Sequence, residues 1–465
     1  MNRLRLVVAL VSLIALPAGA QESLVNFNHL AHLTERIALN GDSVSIVHVY
    51  ANYPDYRWVD AKESGPEGIA CVDDAARAAV AYVRHFELTG DRRSLRQGND
   101  LLRFVLAMQA PDGEFYNFIR ADRSINRDGT TSRKSFGWWA ARGVWAMSTG
   151  YRVMRTVDPA FASRLRAGVE RSLPCAMKLL KQYGKVDTVH GFRTPRWLLY
   201  ESAADATGEL ALGLLEWQAA TGSARARRLI HRFAEGMMVM QDGDAITSPY
   251  ALHRSWETTW HMWGNSQTHV LAVAGKRFRN REFIRSAEWE AACFYSRLLM
   301  QGFMKEMDVA STAPPAAFEQ IAYGVRPMTL GLLALHGATG KREYLVMAGL
   351  AASWLFGNNP PGVPMYDPVT GRCLDGIRDS TTVNRNSGAE STIEALMTLI
   401  ELEHHPEALP FCRYRRVQHG EAGGRRFAIF SNGEGEEVTL VLDTTTSAVQ
   451  VLHGAATARF RESLR

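Results

Sequence analysis

The sequence predicts a mainly α fold, an (α/α)6 toroid of six helical hairpins with a small C-terminal β appendage. Three observations predict it. Long amphipathic helical patterns fill the chain from about residue 26 to 405, similar turns recur at a nearly constant step, and the texture changes to short β-branched runs after residue 406.

The turns define the repeat. LTGDRRSLR (88–96), ATGSARARR (220–228) and ATGKREYL (338–345) each carry an apolar helix into Thr-Gly and on into a second amphipathic helix. A glycine there takes the left-handed conformation that closes a helix. TVDPAFASR (156–164) and KRFRNREFIR (276–285) fill the intermediate slots with other turn chemistry. From Gly90 through Asp158, Gly222 and Asn280 to Gly340 the steps are 68, 64, 58 and 60 residues. Each unit is then one helical hairpin. Long polar-aromatic loops begin near residues 109, 185, 241, 305 and 358, at the opposite helix ends. The helix GAESTIEALMTLIELE (388–403) is expected to pair with FNHLAHLTERIAL (27–39) as the sixth hairpin. First helices rich in Ala, Gly and Leu belong inside, and Arg-rich second helices face water. Ring closure then gathers the long loops around one cleft. RRFAIFS (425–431) and EEVTLVLDTTTSAVQVLHG (436–454) read as short antiparallel strands packed on the ring.

The expected division is a signal peptide over 1–20, the toroid over 21–406 and the β-rich segment over 407–465. Arg3 and Arg5 precede an apolar run at 6–16, and Ala18-Gly19-Ala20 offers a small-residue cleavage site after Ala20. That pattern predicts an exported protein, periplasmic or secreted. The run is shorter than the roughly 20 residues that span a bilayer, so no membrane anchor is expected. The chain has 465 residues, 46% of them apolar, and its net charge of +5 forms no block that would select nucleic acid or a membrane surface. Five cysteines lack metal-ligand spacing, and neither a metal nor a cofactor is expected.

The loop side concentrates acids and aromatics: Trp138, Trp139, Trp256, Trp260, His261, Tyr323, Tyr366 and Asp367. Aromatic faces beside carboxylates suit sugar rings, so an oligo- or polysaccharide is the expected partner. Glycosidic cleavage needs two carboxyls whose surroundings push their pKa values apart. CVDDAAR (71–77) supplies Asp73 and Asp74 at the head of an apolar helix. Helical spacing assigns Asp73 to a cap and to Arg77 at i+4, and leaves Asp74 facing the cleft. SWETTWHMWG (255–264) sets Glu257 and His261 at i, i+4 if it is helical, and YESAADATGEL (200–210) sets Glu201, Asp205 and Glu209 on one stripe. Glu390 and Glu394 open the last inner helix. The expected catalytic set is Asp74 as base and Glu390 as acid, with Asp73 beside them and Glu201 or Glu257 as alternative acids. A polysaccharide lyase using Tyr323, His261 and Arg326, or a glycan-binding protein without activity, competes with it.

The chain resembles the six-hairpin glycosidase superfamily, and within it family 9 glycoside hydrolases. WLFGNNPPGVPMYD (354–367) is similar to that family's late Gly-x-Asn-Pro loop, and NRNSGAESTIEALMTLIEL (384–402) to its closing helix. CVDDAAR stands where the family carries an early aspartate pair that activates water. The family's acid glutamate is missing: DSTTVNRN (379–386) offers only Asp379, or the displaced Glu390. The resemblance therefore implies a divergent carbohydrate-cleaving toroid, inverting if Asp74 activates water, and not a cellulase.

Overall fold

A computed structural model describes residues 23–464; the expected signal peptide, 1–20, lies outside the described residues. The helices are α1 (Asn28–Leu33), α2 (Val72–Thr89), α3 (Arg92–Ala107), α4 (Trp138–Val157), α5 (Pro159–Leu179), α6 (Ala204–Thr221), α7 (Ala224–Val239), α8 (Gln267–Phe278), α9 (Arg281–Glu290), α10 (Ser296–Gln301), α11 (Ala322–Thr339), α12 (Arg342–Ala352), α13 (Ala389–Glu403) and α14 (Ala455–Glu462). A π-helical turn, Ala291–Tyr295, joins α9 to α10 into one outer helix.

Six helices form the inner wall. Helix α2 packs on α4, α4 on α6, α6 on α8, α8 on α11, α11 on α13, and α13 back on α2. Their apolar residues are buried nearly all round, as in α6 and α11. Outer helices such as α3 and α7 bury one stripe and expose their arginines.

The three Thr-Gly turns share one hydrogen-bond pattern. Gly90, Gly222 and Gly340 have φ of 75°, 70° and 72°, and their N–H groups donate to the carbonyls of Phe86, Gln218 and His336. The threonine before each donates to the carbonyl four residues back and accepts from the N–H two residues on. In the other two slots, Asp158 and Asn280 cap the outgoing helix with their side chains.

The sixth hairpin departs from expectation. Helix α1 ends at Leu33, and Thr34–Leu39 is a strand paired with Asp42–Val47. Asn40 and Gly41, at φ 53° and 81°, make the two-residue turn between them. Asn-Gly between alternating residues is a hairpin signal that outweighs the helical spacing of the apolar positions. The hairpin covers α3, while α1 alone lies on α13.

Arg415–Ala422, Arg425–Ser431, Glu437–Asp443 and Ala448–His453 form an antiparallel meander. Ala428, Phe430, Val438, Leu440 and Leu442 join the main core, while Phe427, Ile429 and Val441 are covered by Phe460 and Leu464. With both faces covered, the second strand is apolar throughout its centre.

Candidate active site

The inner helices start on the long-loop face, where a cavity of about 390 Å3 opens. The head of α2 supplies Asp73, Asp74 and Arg77, α4 supplies Arg142, α11 supplies Tyr323, and α13 supplies Glu390. Loops add Glu63, Glu319 and Asp375. Six carboxyls thus share the cavity with two guanidiniums.

The aspartate pair is arranged the opposite way from the helical-spacing expectation. Arg77 turns into the ring under α13, so its Nη2 donates to Asp74 Oδ1 at 2.8 Å, three residues back, and the Cys71 thiol donates to Asp74 Oδ2. Asp74 is 3% exposed, and burial pushes its carboxyl above the usual range. Asp73 is the more open of the two: Arg142 Nη1 lies 2.8 Å from its Oδ1 and Asn117 Nδ2 donates to its Oδ2. Arg77 reaches only the backbone carbonyl of Asp73.

Below the cavity runs a chain of buried ions. Arg77 Nη1 donates to Glu394 Oε1 at 2.7 Å, Arg326 Nε donates to Glu394 Oε2, and Arg326 Nη2 donates to Glu209 Oε1 at 2.8 Å. Burial raises the Glu394 carboxyl. Burial opposes ionisation of Glu209 as well, but Arg326 and Arg142 outweigh it and hold that carboxyl low. The Tyr323 ring faces Arg77, Arg142 and Arg326, and burial keeps its phenol protonated well above the usual range.

Glu390 is half exposed in the cavity, 3.3 Å from both terminal nitrogens of Arg77. Asp375 was not foreseen. Its Oδ1 accepts from Gly388 N–H and Ser391 Oγ at 2.7 Å each, which leaves Oδ2 without a hydrogen bond. Burial pushes this carboxyl up to about 6.

Several expected residues belong elsewhere. The segment 255–264 is not helical: Trp256 pairs with Thr259 across a tight turn with Glu257 at φ 46°, and Thr259–His261 pairs with Glu306–Asp308. The Glu257–His261 pair therefore does not form, because β-branched Thr258 and Thr259 feed a strand. His261 Nε2 lies 2.8 Å from the buried Asp205, and Trp263 stacks on the ring. Trp260 is core, edge-on to Phe294, and Trp256 is exposed. Glu201 precedes α6 at φ 67°, is exposed and pairs with Arg196, so it leaves the Asp205–Glu209 stripe. Tyr366 is buried, its hydroxyl accepting from Asn26 N–H and donating to the Leu24 carbonyl, and Asp367 closes an Asx turn with Val369 and Thr370. Tyr366 anchors the N-terminal segment, Asp367 stabilises its own turn, and neither lines the cavity. Arg326 is wholly buried under the floor. Trp138 remains near the site, with Arg142 over its ring, whereas the Trp139 indole N–H is spent on the Phe115 carbonyl.

No protein-family model matches the chain, and no curated protein matches it by sequence. Among solved structures it is similar to the cellobiose 2-epimerase of Bacillus thermoamylovorans, at TM-score 0.54 and 11% identity over 80% of this chain and 95% of that one. A D-mannose isomerase is similar at TM-score 0.53 and 11% identity, over 77% of this chain and 92% of that one. A family 9 endoglucanase follows at TM-score 0.47 and 16% identity, over 81% and 83%. The fold is the (α/α)6 toroid of these proteins. The first two likenesses establish this fold and nothing finer.

Proposed function

We propose that the chain is an exported carbohydrate-active enzyme that hydrolyses a glycosidic bond in an uncharged oligo- or polysaccharide. The observation that supports it is one cavity holding two carboxyls in opposed surroundings. Asp73 is ion-paired with Arg142, while Asp375 is desolvated and has a free oxygen. In this reading Asp375 gives its proton to the leaving glycosidic oxygen. Asp73 takes a proton from the water that forms the new bond at the anomeric carbon, which inverts it. Glu390 and Trp138 hold hydroxyls and a ring face.

The carboxylate-lined cavity repels a uronate, and a phenol held protonated makes Tyr323 a poor base, so the lyase reading is disfavoured. A second reading, sugar epimerisation, draws on the fold likeness and on the Asp205–His261 pair near the heads of the inner helices, which is suited to moving protons.

A panel of neutral glycans assayed with wild type, Asp73→Asn and Asp375→Asn tests the proposal. New reducing ends that both variants lose support hydrolysis. Solvent deuterium entering a recovered sugar without cleavage overturns it in favour of epimerisation, and an ultraviolet-absorbing unsaturated product overturns it in favour of elimination. Export is checked by N-terminal sequencing of the protein recovered outside the cytoplasm, where Gln21 is the expected first residue.

A further inference from the structure

The toroid has a second cavity at its short-turn end. At about 650 Å3 it is larger than the candidate active site, and all six inner helices wall it. Its body is apolar, built from Trp145, Leu212, Leu330, Leu333 and Ile400 among others. Two buried polar atoms on these walls have no partner among the described residues, Thr149 Oγ1 and His269 Nδ1. Thr149 is 1% exposed. Burial pushes His269 down to about 4, so its ring is neutral near pH 7. Buried donors and acceptors left unpaired cost free energy, which a guest bearing a hydroxyl or carbonyl would recover.

The mouth carries charges of unequal standing. Arg84 is held by Glu401 and Glu87, and Glu216 by Arg152. Lys276 has no ion pair among the described residues, and Arg277 donates to the Leu215 carbonyl and the Gln218 amide rather than to a carboxylate. His269 and Lys276 are seven residues apart on α8, on one face and about 10 Å apart along the axis.

We propose that this cavity binds an apolar-bodied monocarboxylate carrying a hydroxyl or carbonyl at the end opposite its carboxyl group. The anion sits at Lys276 and Arg277, the body lies on Trp145 and the leucines, and the far polar group meets Thr149 and His269. The site is separate from the candidate active site and does not depend on the hydrolytic reading.

Calorimetric titration of the full chain with 4-hydroxycinnamate, cinnamate and 4-vinylphenol tests this. The first should bind one to one, and loss of either polar end should weaken binding about tenfold. Thr149→Val should remove the preference for 4-hydroxycinnamate over cinnamate, and Lys276→Met the preference over 4-vinylphenol. Neither side chain belongs to the catalytic cavity, so activity on glycans should stay unchanged. Leu330→Trp should fill the cavity and abolish binding. Absence of saturable binding by 4-hydroxycinnamate, equal binding of all three probes, or binding that both Thr149→Val and Lys276→Met leave unaltered would overturn the proposal.

Discussion

Asp375→Asn keeps the acceptor used by Gly388 N–H and Ser391 Oγ, and it removes the ionisable group. Moving a carboxyl from the usual 3.8 to about 6 penalises its ionised form in the folded protein by about 3 kcal/mol. The sign follows from linkage. Below about pH 4 the carboxyl is protonated in folded and unfolded chains alike, and it costs nothing. As pH rises towards and through about 6, the unfolded chain releases its proton more readily, and the folded state loses that stability. The Asn variant escapes this loss. Relative to wild type, its unfolding free energy should therefore rise by about 3 kcal/mol between pH 3 and pH 8. Urea unfolding of both proteins at the two pH values measures the difference. Activity should move the other way. Wild-type turnover should fall about tenfold per pH unit above about 6 as the donor is lost, and the variant should be inactive throughout. A stability difference that does not change with pH would refute the desolvated carboxyl, and an active variant would refute its catalytic role.

The remaining predictions concern the rest of the site and the frame. Asp73→Asn should cost about 10²- to 10⁴-fold in turnover, and it should also lower thermal stability, because it takes from buried Arg142 its ion-pair partner. Asp74→Asn should destabilise as well, because it takes a buried partner from Arg77, but it should leave turnover far less affected; turnover numbers separate the two. Arg326→Met should cost about 3–5 kcal/mol by leaving Glu209 buried without its ion-pair partner and Glu394 with Arg77 alone. Adding Glu209→Gln should recover much of that loss on denaturant unfolding. Gly41→Ala should cost about 1 kcal/mol by forcing a side chain into the left-handed turn of the N-terminal hairpin, visible as a lowered melting midpoint.

The frame was legible because its signals are local and repeated. A Thr-Gly turn or a side-chain cap needs only its own hydrogen bonds, so three Thr-Gly turns and the Asp158 and Asn280 caps could be counted without knowing what they pack against. The N-terminal strand was misjudged because its apolar residues satisfy both helical and alternating spacing, and Asn40-Gly41 decides between them. At the site, the sequence located the right helix head but not which aspartate faces the cavity. That choice depends on Arg77 being drawn inward by Glu394, which is 317 residues away. Asp375, Glu319 and Glu63 sit on loops with no periodicity, and only the folded ring brings them together. Glu257 and His261 have helical spacing, but Thr258 and Thr259 turn that stretch into a strand pair.

The ion chain under the cavity also ties the last inner helix to the rest of the ring. Arg77 comes from the first inner helix and Arg326 from the fifth, yet the glutamate they share, Glu394, arrives on the last one, α13. Until that helix docks, two guanidiniums near the centre of the ring lack their common counterion, and keeping them wet is cheaper than burying them. Docking of α13 therefore closes the ring and the ion chain together. The same docking step brings Glu390, Ser391 and Gly388 to the cavity, so the site is completed only when the ring is.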